Sequence, residues 1–118
     1  MTNANYAEAI NRLGETVLET TKRIAEINLK AGEKLVEQQA ELANQWISAA
    51  SRNVDLTAKA KAYQDLVAGQ AQIAQEYGQQ VLASYRRSAE VLNEASKAVA
   101  STVDEAARTA REGLKASA

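Results

Sequence analysis

The chain has 118 residues and a formal net charge of −1, enough length for one domain and short for two. Its 46% hydrophobic content is dominated by 25 alanines against 23 Leu, Ile and Val, with no Phe, one Trp and four Tyr, so a thick globular core is excluded. The absence of Cys and His removes disulfides, thiolate and imidazole chemistry and zinc clusters, while the absence of Pro, with only five Gly, makes uninterrupted helix the default.

The first predicted helix covers residues 4–50. Tyr6, Ile10, Leu13, Val17, Ile24, Ile27, Ala31, Leu35, Leu42, Trp46 and Ala49 recur at helical steps, which places them on one face. Around Ala31 and Leu35 the step of four repeats, a stutter that locally unwinds a coiled coil. Glu8–Arg12, Glu19–Arg23 and Glu26–Lys30 sit acid-first four residues apart and support the outer face. Asn3 or Asn5 is the expected cap.

A turn is predicted at 51–55. Ser51, Asn53 and Asp55 all compete for backbone hydrogen bonds, and Asp55 can cap the next helix. With no Gly or Pro there, an unbroken helix is the alternative. The second predicted helix covers 56–100. Leu56, Ala60, Tyr63, Val67, Gln70, Ala74, Tyr77, Val81, Ser84, Ser88, Val91, Ala95 and Ala98 alternate steps of four and three, a heptad seam. Thr102-Val-Asp-Glu105 resembles a capping box, so a short C-terminal helical extension is expected over 102–113, with Gly113 as its stop.

The stretch Leu66–Tyr85 is 20 residues long, holds five Gln and carries Glu76 as its one charge. It is too polar for a membrane span. Its helical face would present Leu66, Val67, Ile73, Tyr77 and Val81, and its other face is neutral and hydrogen-bonding. Such a helix suits either burial between neighbours or adsorption to a neutral, weakly polar surface, whereas a binder of anionic lipid would carry Lys and Arg there. Trp46 is read as an anchor at the end of the hairpin.

Enzymatic signatures are missing. Glu15/Glu19, Glu33/Glu37, Glu37/Glu41 and Glu90/Glu94 pair at i,i+4, but helical di-metal sites add histidines to such acids, and these lie off the apolar stripe. No phosphate-binding glycine loop occurs. No cofactor or metal is therefore expected. The start MTNANYAEAI has no signal-peptide pattern. The basic pair Arg86-Arg87 is not flanked by a basic stripe, which argues against nucleic acid.

The block Ala58–Ala95, with Tyr63-Gln-Asp-Leu66, Gln75-Glu76-Tyr77 and Leu82-Ala-Ser-Tyr-Arg-Arg-Ser-Ala-Glu90, together with the upstream segment Asn28–Arg52, resembles the phasins. These proteins coat polyhydroxyalkanoate storage granules in bacteria. The resemblance covers roughly residues 10 to 105 and brings no catalytic residues. It implies a non-enzymatic coat that limits granule coalescence, self-associates and in some members contacts the polyester synthase or depolymerase.

Sequence pattern and resemblance together predict one all-α domain over 1–118. Its fold is a long antiparallel helical hairpin with coiled-coil character and a short C-terminal helical extension. Two thin helices cannot bury the stripe alone, so a homo-oligomer, dimer to tetramer, is expected. The expected contact face for polyester or a second chain is Trp46, Tyr63, Leu66, Val67, Ile73, Tyr77 and Val81. The expected location is cytoplasmic, on granule surfaces. The opposing reading is a structural coiled-coil interaction module without surface activity.

Overall fold

The computed structural model describes residues 3–117. Among them lie two helices and no strand: α1, Asn3–Lys59, and α2, Tyr63–Ser117, joined at 60–62 into a helical hairpin. Alanine-rich sequence without Pro favours this outcome residue by residue. Lys59 closes the last turn of α1 and Asp65 lies in the first turn of α2, each matched to the helix dipole at its end.

The turn therefore falls at Ala60–Ala62 and not at 51–55. The helix-poor cluster is absorbed into α1, where the Thr57 hydroxyl donates to the Asn53 carbonyl at 2.9 Å and Lys59 Nζ donates to Asp55 at 3.3 Å. Asp55 is an interior residue and no cap. Nor is there a break near Thr102. Its hydroxyl donates to the Ala98 carbonyl at 2.7 Å, the back-bond of a Thr inside a helix. Residues 102–113 continue α2, and Gly113 lies within it without a positive φ.

Two compact units divide the hairpin. In Glu33–Val91 the half-buried positions are Leu35, Gln38, Leu42, Gln45, Ala49 and Leu56 on α1, with Leu66, Gly69, Ile73, Tyr77, Val81, Ser84 and Ser88 among those on α2. Arg87 pairs with Glu41 at 3.2 Å, Arg52 pairs with Glu76, and the Ser88 hydroxyl donates to Gln38 Oε1 at 2.7 Å. The second unit joins Met1–Gly32 to Leu92–Ala118. There Thr16, Thr20, Ile24, Ile27 and Ala31 are half-buried, as are Ala95, Ala98, Val99, Thr102, Ala106 and Ala110. Arg23 crosses to Glu105 at 3.3 Å. In each of the three cross-helix ion pairs the two position numbers add to 128, so the antiparallel register is the same within each unit.

The seam is thin. Ala9, 7% exposed, is the one buried residue among those described. Ile27, Ala31 and Leu35 are all half-buried, as the stutter requires. Ser84, Ser88, Val91, Ala95, Ala98 and Thr102 keep the heptad alternation. Between the turn and Tyr77 the packed side lies on Leu66, Gly69 and Ile73, one residue before the expected Val67, Gln70 and Ala74.

Candidate functional site

Charge is segregated around both helices. At 3.6 residues per turn, every Asp, Glu, Lys and Arg of α1, from Glu8 to Lys59, falls within about a third of the helix circumference. The charges of α2, from Asp65 to Lys115, are confined to about a third in the same way. The cross-helix pairs Arg52–Glu76 and Arg87–Glu41 bring the two charged sectors to one side of Glu33–Val91, and Arg23–Glu105 does so in the other unit. The Arg52 guanidinium, helped by Gln72, holds the Glu76 carboxyl below the usual carboxylate range. The opposite side of each unit is free of charge.

That charge-free side exposes aliphatic and aromatic side chains. On α1, Leu18, Leu29, Val36, Ile47 and Val54 are all exposed, at spacings of 11, 7, 11 and 7. These spacings return to one line on a helix. Ala25, Gly32, Ala40, Ala43, Ala50 and Ala58 fill the same line. This second stripe lies outside the recurrence from Tyr6 to Ala49, although its spacing alone reveals it. On α2, Val67, Leu82, Tyr85, Leu92 and Val103 are exposed along one flank, interspersed with Ala71, Ala74, Gly78 and Ala89.

The expected contact residues divide into two groups. Leu66, Ile73, Tyr77 and Val81 are half-buried between the helices. Trp46, Tyr63 and Val67 are exposed, at 59%, 79% and 47%. Trp46 and Tyr77 meet across a shallow groove of about 360 Å³ on the charge-free side of Glu33–Val91, where Asn53 and Gln70 add amide donors to Ala49, Ala50, Ile73 and Ala74. Trp46 thus lines the middle of a face and does not close the end of the hairpin.

Among the described residues no group of three or more His, Cys, Asp or Glu could hold a metal ion. No helix is long and apolar enough to cross a membrane. The arrangement offers a broad neutral surface with apolar side chains and scattered hydrogen-bond donors.

In comparison with known protein families, residues 8–113 match the model described as Phasin protein. No curated protein and no solved structure matches the chain.

Proposed function

The chain belongs to the phasin family, which associates with polyhydroxyalkanoate granules, and from that membership we propose that it coats such granules without catalysing a reaction, adsorbing through apolar helix faces and limiting coalescence. The segregation of charge carries this reading. A polyester surface is neutral: it presents alkyl groups and ester carbonyls that accept hydrogen bonds. The charge-free side matches it with Trp46, Val67 and Tyr85 and with the amides of Asn53 and Gln70. No charge has to be desolvated on contact. The ion-paired side stays in water and separates one coated particle from the next. Tyr63 and the groove residues Ile73 and Tyr77 belong to the same contact zone, and Leu66 and Val81 support it from the seam. The coat forms in the cytoplasm, on the granule surface. It self-associates as a dimer to tetramer and offers its charged side to the polyester synthase or depolymerase.

Co-sedimentation with polyhydroxybutyrate particles across a salt series tests the proposal. Binding is expected to persist from low to molar salt, because a neutral polymer releases no counterions and leaves nothing to screen. Glu33→Gln with Glu37→Gln is expected to leave it unchanged. An absence of binding, or its loss at high salt, favours the coiled-coil interaction module instead.

A further inference from the structure

One outward line of Glu33–Val91 is free of polar side chains, which its seam is not. The seam includes Gln38, Gln45, Ser84 and Ser88. The outward line of α1 over the same stretch runs Val36, Ala40, Ala43, Ile47, Ala50, Val54 and Ala58, with no polar residue. A hairpin that opened onto a polymer would present the seam. It would break the Ser88–Gln38 hydrogen bond and the Arg52–Glu76 and Arg87–Glu41 pairs, and it would turn acceptor oxygens such as Gln38 Oε1 toward a surface that offers no donor. Burying polar groups that have lost partners is unfavourable. Contact through the outside costs none of these bonds.

We infer that the hairpin adsorbs closed. In that state the hairpin lies on its charge-free side, with Val67 and Tyr85 of α2 beside Trp46 on the polyester and with the outward Val36, Ile47 and Val54 of α1 and Leu82 of α2 at the two edges of the contact, while the helix–helix seam stays intact. All seven are exposed in the structure, and the charge-free arcs of the two helices adjoin along the Trp46–Tyr77 groove. Polyester fits this surface better than a second chain does. Interfaces between helices are bordered by charges that set register and partner, and the charge-free arcs have none where they adjoin. This inference rests on the adsorption reading above.

The test uses the full chain, whose lack of cysteine makes an introduced pair the sole thiols. Gln38→Cys and Ser88→Cys place thiols where the side chains already meet, and dibromobimane bridges them into a closed ring with the turn. Bridged and reduced, unbridged protein are expected to sediment with polyhydroxybutyrate particles to the same extent. The triple variant Val36→Gln, Ile47→Gln, Val54→Gln is expected to lose about tenfold or more in apparent affinity. Circular dichroism checks its helicity, and Leu82→Gln with Tyr85→Gln on α2 replaces it if helix is lost. If the unbridged protein binds and the bridged one does not, closed adsorption is wrong and the adsorption reading stands. If neither binds, the adsorption reading falls and takes this inference with it. If the Gln variants bind as before but shrink the solution oligomer, the face belongs to a second copy and the inference is overturned.

Discussion

Leu56 lies in the space that a Cβ on Gly69 would occupy: its Cδ atoms come within 2.5 and 2.7 Å of that point. The leucine ends the α1 seam and the glycine follows Leu66 at the start of the α2 seam, so their contact brings the helices together next to the turn. It also sets the register. With Leu56 over Gly69 and Arg52 paired to Glu76, the chain must reverse between 57 and 68, and the turn at 60–62 satisfies this. A turn at 51–55 would put Leu56 and Gly69 on one helix.

Gly69 and Gly78 should therefore respond differently to alanine. Around Gly78 a Cβ meets nothing within 4 Å, so Gly78→Ala is expected to stabilise by about 0.5–1 kcal/mol through helix propensity. Gly69→Ala gains the same term but displaces the end of Leu56 from its packing, an opposing cost of about 1 kcal/mol, and should come out near neutral. Urea unfolding of both variants, repeated in a Leu56→Ala background, reads the difference. In that background Gly69→Ala should recover the full gain. Equal stabilisation by both variants with Leu56 present would refute the contact.

The class of fold was legible because helix formation here is local. Absence of Pro, abundance of Ala and the helical recurrence from Tyr6 to Ala49 each act within a few residues. The turn was not legible, because Lys59, Ala60, Lys61 and Ala62 are good helix formers and Ser51–Asp55 are poorer ones; the pairing of Leu56 with Gly69 decides between them from across the hairpin. The same contact moves the packed side to Leu66 and Ile73 and turns Val67 outward. The neutral character of Leu66–Tyr85 could be read directly. The stripe of Leu18, Leu29, Val36, Ile47 and Val54 escaped because Ala and Gly fill the steps between its larger members.

Acid should weaken the Arg52–Glu76 link in a predictable direction. The folded-state pKa of Glu76 is depressed, first by its hydrogen bond from Arg52. A depressed carboxyl contributes stability that is present above the unfolded-state pKa and is lost as pH falls through the folded-state value. Glu76→Gln removes this contribution. The urea midpoint of the native chain should exceed that of Glu76→Gln near neutrality, and the two should converge as pH drops below the carboxylate range. A gap between them that persists in strong acid would show that Glu76 acts through something other than its charge.

Self-association should appear as a concentration-dependent stability. A seam with one buried residue among those described, Ala9, and exposed Leu29, Val36, Ile47 and Leu92 leaves apolar surface for which a second chain in solution is the available cover. Anything that binds only the folded chain raises its apparent stability by mass action. Light scattering should give a dimer to tetramer of the 12.7 kDa chain, and the thermal midpoint should rise as protein concentration increases. Adding polyester particles should then draw chains out of the oligomer, because both states cover apolar side chains at roughly 25 cal/mol per Å² and the polyester fits the charge-free faces better. A monomer whose midpoint is independent of concentration would remove self-association, and with it the competition between oligomer and granule.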